Sequence, residues 1–119
     1  MERHSDWKAL DNQVTVAPQI RPADVADIAA AGYLAVMCNR PDGEDPGQPD
    51  WETIAADCRA HGLAAHYVPQ AGRDTTTYAV ARFAGVLAGA QGKVFAYCRS
   101  GTRCEILWTA AKAQLARGG

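Results

Sequence analysis

The run Val94-Phe95-Ala96-Tyr97-Cys98-Arg99-Ser100-Gly101-Thr102-Arg103 carries the chemistry of this chain. Four apolar residues lead to a cysteine, a short polar turn passes through a glycine, and an arginine opens a helical apolar stretch. Strand, cysteine, turn and helix start, in that order, form a cup for an anion with a nucleophile at its floor. Backbone N–H groups at the helix start point into the cup, and the helix dipole adds partial positive charge. Both favour a thiolate, which makes Cys98 a nucleophile near neutral pH. The amides from Arg99 to Arg103 supply an anion nest, and Gly101 permits a turn that other residues resist. Arg103 adds a planar two-pronged donor for an oxyanion, and Ser100 or Thr102 can offer a hydroxyl to the sulfur. A thiol that stayed protonated in mild base, or one walled off from solvent, would defeat this reading.

The elements that must position the loop alternate between strand and helix patterns. Residues 14–16 read as a short strand closed by Pro18, and Pro22 and Asp24 open a helix with Val25, Ile28 and Ala29 as its stripe. Residues 33–38 are almost wholly apolar, as in a strand buried on both faces of a parallel sheet. Residues 39–49 hold three prolines, two glycines and three acidic residues, the composition of an exposed loop. Asp50 caps a helix over 51–61, residues 64–68 make a strand, and Asp74 or Thr75 opens a helix with the stripe Val80, Phe83, Ala84 and Leu87. A strand over 93–97 and a helix over 103–116 complete the series. This order predicts one α/β domain over residues 1–119, with a central, mostly parallel sheet of four to five strands and helices on both faces. Such sheets place their sites beyond the carboxyl ends of the strands, which gathers the loops after Cys38, after Val68 and from Cys98.

Composition narrows the class. The chain has 119 residues, enough for a core without disulfide staples, and 24 of its apolar residues are alanine, so helices pack closely. Its net charge is −1, with basic and acidic residues well mixed, which excludes a nucleic-acid footprint or a basic membrane surface. The start lacks the hydrophobic region of a signal peptide and no apolar run suits a membrane helix, so a cytoplasmic protein with free thiols is expected.

The cysteine loop resembles those of two families, the cysteine-based phosphatases and the rhodanese-type sulfurtransferases. A wider pattern is narrower still: Val14 with Pro18-Gln19-Ile20, then Cys38-Asn39-Arg40-Pro41-Asp42-Gly43-Glu44, the Cys98 loop, and Leu107-Trp108. It resembles the phosphatase-like domain of the beta-lactamase-hydrolase-like proteins over nearly the whole chain. The resemblance implies a fold like the dual-specificity phosphatases, with the Cys98 strand central and the Cys38 strand beside it. It also implies a partner, a metallo-beta-lactamase-type domain associated with persulfide oxidation. By the same resemblance Gln19 and Asp42 line the pocket, Asp74 lies where such phosphatases carry a general acid, and Cys104 stands where related loops often place serine.

The departures favour sulfur chemistry. Four residues separate Cys98 from Arg103, where cysteine phosphatases have five, and Tyr97 replaces the usual histidine. That loop length is the rhodanese one. A shortened phosphate cradle misplaces donors by about 1 Å, worth ~100-fold in rate. Phosphoryl transfer also wants an acid, for which Asp74 and Asp42 are the candidates, although a helix cap and an acidic turn explain them equally well. Sulfur transfer needs little acid, and Arg99 and Arg103 can steer a persulfide, thiosulfate or other small anion. The expected activity is transfer of sulfane sulfur through a Cys98 persulfide; phosphomonoester hydrolysis through a phosphocysteine and a non-catalytic anion- or peptide-binding module are the alternatives. Cys104 or Cys38 can act as a redox partner of Cys98, and each is equally a small buried residue. No Cys-x2-Cys pair exists, so neither a metal nor another cofactor is expected.

Overall fold

The computed structural model describes residues 4–118. The elements run β1 (Lys8–Ala9), β2 (Val14–Ala17), α1 (Asp24–Ala30), β3 (Ala35–Cys38), α2 (Trp51–Ala60), β4 (Ala64–Tyr67), α3 (Thr77–Gly89), β5 (Val94–Tyr97) and α4 (Thr102–Ala116). They build a five-stranded sheet in the order β1-β2-β5-β3-β4. β1 pairs antiparallel to β2, and the other neighbours are parallel. The strand that ends at Cys98 is therefore central, with the Cys38 strand at its side, as the resemblance implied.

Every residue of β2, β3 and β5 is buried, which explains the unbroken apolar runs of β3 and β5; in β2 the buried Thr15 hydroxyl pairs with the Tyr33 hydroxyl at 2.6 Å. Alternate residues face opposite layers. Val94, Ala96 and Cys98 share one core with Phe83, Ala84 and Leu87 of α3 and with Cys104, Leu107 and Ala111 of α4. Phe95, Tyr97 and Cys38 share the other with Val25 and Ile28 of α1 and with Ile54 and Cys58 of α2. Trp7 closes that second core edge-to-face on Phe95, with centroids 4.8 Å apart, and Trp51 stacks on Tyr67.

The differences from expectation are local. β1 is a two-residue edge strand, too short to leave a pattern in the sequence. α3 opens later than Asp74 or Thr75: the Thr76 hydroxyl accepts the Ala79 N–H at 3.0 Å. That start turns Ala79 inward and leaves Val80 only partly buried. α4 begins one residue early, at Thr102, because Gly101 takes the left-handed conformation (φ 91°) that ends the turn.

Candidate active site

Cys98 follows β5 directly, and the turn after it is pinned to β2. The Cys98 N–H donates to the Ala17 carbonyl at 3.2 Å, and the Gln19 N–H donates to the Arg99 carbonyl at 3.3 Å. The chain then reverses through Gly101, whose N–H donates to Cys98 Sγ at 3.0 Å. An added methyl at Gly101 would meet only ordinary contacts with Ala17, so its backbone angle, not space, requires glycine.

The sulfur is held as an anion. The Cys104 thiol donates to it, and the backbone N–H groups of Cys104, Ser100 and Gly101 add to that; together they outweigh burial and lower the Cys98 pKa from 9.0 to about 5. The expected hydroxyl donor is corrected here. Ser100 Oγ donates to Thr102 Oγ1 at 3.1 Å, and the Cys104 thiol takes the place next to the sulfur. Alkylation of Cys98 by a neutral reagent should therefore rise to half its plateau near pH 5. A rate still climbing toward pH 9 would contradict the geometry.

The expectation of a sulfur open to solvent is not met. Cys98 is 0% exposed in this conformation. Three loops meet at this end of the sheet, and Arg103 ties them together. Its Nη1 donates to Glu44 Oε2 at 2.8 Å and its Nη2 to Glu44 Oε1 at 2.9 Å. Nη1 also donates to the Gln70 carbonyl at 2.8 Å. The Arg103 side chain is itself only 11% exposed, so in this conformation the sulfur is covered, and a nucleophilic role requires these ties to open.

Glu44 is the residue that sequence reading missed. It accepts from Arg40 Nε at 2.9 Å as well as from Arg103, and these two guanidiniums, Arg103 foremost, lower its pKa from 4.5 to about 2. The Arg40 side chain is only 3% exposed. It also donates to Asp45 Oδ2 at 2.7 Å and to Gln19 Oε1 at 3.0 Å. Arg99, mostly exposed, stands 3.8 Å from the same Asp45 oxygen. Three guanidiniums thus share two carboxylates and, with Cys98 ionised, one thiolate. Glu44 closes the Cys38–Glu44 stretch that carries the family resemblance and stands four residues after Arg40, but neither signal gave it a role.

The other expected residues are distributed unevenly. Gln19 joins the site as an acceptor for Arg40 and through its backbone. The Asp42 carboxylate accepts the Trp51 N–H at 2.8 Å, at the start of α2, and no described hydrogen bond ties it to the Cys98 loop. Asp74 is exposed before α3 and makes no hydrogen bond or ion pair among the described residues. Cys38 lies on the opposite face of the sheet from Cys98, in register with Tyr97. Its thiol donates to the Arg40 carbonyl at 3.2 Å, and burial pushes its pKa up to about 11. No described helix is long and apolar enough to cross a membrane.

Known proteins are similar to this chain in sequence and fold. Residues 6–115 match the family described as beta-lactamase hydrolase-like protein, phosphatase-like domain. A beta-lactamase hydrolase-like protein of Agrobacterium fabrum is 33% identical over 104 residues, covering 87% of this chain and 24% of that protein. One from Xylella fastidiosa is 31% identical over 99 residues, covering 83% of this chain and 23% of its own length. The chain therefore spans about a quarter of these curated relatives. Among solved structures, a Neisseria meningitidis protein provisionally described as a phosphatase is 37% identical, with a TM-score of 0.78, covering 85% of this chain and 72% of that one. The Siw14 catalytic core, 8% identical, shares the fold alone, with a TM-score of 0.68 over 93% of this chain and 68% of its own. A dual-specificity-phosphatase fold, a Cys98 loop at its central strand and a family match over most of the length lead to one assignment: this chain belongs to the phosphatase-like domain family of the beta-lactamase hydrolase-like proteins.

Proposed function

We propose that this domain is a cysteine-dependent sulfurtransferase that carries sulfane sulfur on Cys98. The observation that supports it is the charge balance of the loop. Glu44 fills the Arg103 fork with two parallel bonds, and Asp45 is shared by Arg40 and Arg99. A phosphate dianion would have to displace Glu44 or enter beside it and beside the Cys98 thiolate, at close range and in a partly desolvated site. A thiol persulfide presents no dianionic oxyanion head to the loop and asks less of Arg103; thiosulfate, itself a dianion, has to part Arg103 from Glu44 to enter. Neither Asp74 nor Asp42 is placed as a general acid by any described contact, and sulfur transfer does not need one.

In the first step the Cys98 thiolate attacks the outer sulfur of thiosulfate or of a thiol persulfide. A sulfur–sulfur bond forms to Cys98, the donor's own sulfur–sulfur bond breaks, and sulfite or the donor thiolate leaves with the electron pair. In the second step an acceptor thiolate takes the outer sulfur, and Cys98 leaves as a thiolate. The amides and the Cys104 thiol that lower its pKa make Cys98 a good leaving group as well as an ionised nucleophile. Arg99, the most exposed of the three arginines, steers the donor, and Arg103 parts from Glu44 to admit it. The persulfide product is what a metallo-beta-lactamase-type persulfide dioxygenase partner would consume.

The protein supplied with thiosulfate and cyanide should form thiocyanate catalytically, and arylphosphate hydrolysis should stay at background. Arylphosphate turnover that depends on Cys98, without thiocyanate, would transfer the assignment to a phosphatase using the same nucleophile.

A further inference from the structure

The mechanism above uses the Cys104 thiol only as a donor to Cys98, yet that donor is itself a second sulfur in the same loop. Cys104 is 0% exposed, lies in the same core as Cys98 on the same face of the sheet, and donates both its backbone N–H and its thiol to the Cys98 sulfur. The other cysteine near the loop, Cys38, faces the opposite layer and spends its thiol on the Arg40 carbonyl.

We propose that Cys104 discharges the Cys98 persulfide as sulfide, which gives the domain a second activity, persulfide reduction, when no acceptor thiol arrives. The proposal rests on sulfur loading at Cys98. The step balances without an external oxidant. The Cys104 sulfur attacks the inner sulfur of the persulfide, its thiol proton passes to the outer sulfur, and hydrosulfide leaves. A Cys98–Cys104 disulfide forms; the two cysteine sulfurs are oxidised and the outer sulfur is reduced from the sulfane to the sulfide level. A dithiol such as dithiothreitol then resets the pair. Burial raises the Cys104 pKa well above its ordinary value, so the attack requires the thiol to give up its proton to the outer sulfur as the new bond forms. The site thereby sorts its product by circumstance: persulfide when an acceptor thiol is at hand, free sulfide when only a reductant is.

The test is a single turnover without reductant or acceptor, with glutathione persulfide as donor. The wild-type protein should release one equivalent of sulfide and lose one pair of hydrogens by intact mass. Trypsin cuts after Arg99 and Arg103, between the two cysteines, so the bridge appears as a cross-linked peptide pair. Cys104→Ser, whose hydroxyl can still donate to the Cys98 sulfur, should load more slowly, then keep one added sulfur and release no sulfide; Cys104→Ala, which loses that donor, should do so only at higher pH, and a thermal melt shows that each is folded. If both wild type and variants retain the added sulfur, the discharge step is wrong and sulfur transfer stands. If the wild type neither takes up sulfur nor releases sulfide, and no variant takes up sulfur, the sulfurtransferase reading itself fails. Hydrogen peroxide reaches the bridge by a separate route, because a Cys98 sulfenic acid loses water to the Cys104 thiol. An unbridged Cys98 sulfinic acid after peroxide would overturn the proposed pairing.

Discussion

Cys98→Ser should abolish thiocyanate formation, lowering kcat by about 10⁴-fold or more, the scale on which an enzyme loses its nucleophile and keeps only binding. The change is nearly isosteric. Serine can accept the same N–H from Gly101, so the protein should melt within a few degrees of the wild type. Its hydroxyl cannot take up sulfane sulfur and is not ionised by four donors at neutral pH. Folded protein with lost activity would place the effect in the chemistry. Activity within tenfold of the wild type would show that the thiolate is irrelevant and would favour the anion- or peptide-binding module. Alkylation of the wild type supplies the complementary control: because Cys98 is covered at rest, a protein inert to iodoacetamide at every pH would mean that the loops never open, and the enzyme reading would end there.

Glu44→Gln should have the second-largest effect, and in two directions. The substitution removes the charge that holds Arg103 and Arg40, leaving the almost fully buried Arg40 with only Asp45 as its anionic partner. Breaking a buried pair costs ~3–5 kcal/mol; the Glu44 side chain is 23% exposed, so about 2 kcal/mol is expected, read from urea melts. Function should move the other way. Arg103, released from its fork, should bind phosphate or tungstate about tenfold more tightly, equivalent to ~1.4 kcal/mol, and Cys98 should be alkylated faster. Unchanged anion affinity would remove the charge argument for sulfur over phosphate. The pH dependence has a definite sign. A carboxylate whose pKa is depressed in the fold, here from 4.5 to about 2, contributes stability that is complete above its unfolded value and is lost as pH falls from about 4.5 toward 2. The stability gap between wild type and Glu44→Gln should close over that interval.

The framework was legible because parallel strands buried on both faces leave unbroken apolar runs, and because Gly101, Pro18 and Asp50 mark where the chain turns or caps. The Cys98 loop was legible for a related reason: its residues are consecutive, so their order alone encodes the geometry. What escaped was contact between distant segments. Nothing local distinguishes Glu44 from Asp42 or Asp45; Glu44 matters because α4 brings Arg103 within 2.8 Å of it across the strand ends. Asp74 looked suitable by position in the chain and is simply exposed, while Asp42 is occupied by the first turn of α2. Cys104 and Cys38 were equivalent on paper. Side-chain alternation along β5 and the register of β3 separated them.

That alternation also makes the sheet a partition between two thiol compartments. Chemistry on the α3/α4 side involves Cys98 and Cys104, while Cys38 and Cys58 lie on the other face, in the same layer as Phe95 and Tyr97, as bystanders. Strand parity, and not cysteine identity alone, therefore decides which sulfurs react. Deleting a single residue from β5 would carry Cys98 through the partition to the bystander side, with every atom of the cysteine itself unchanged.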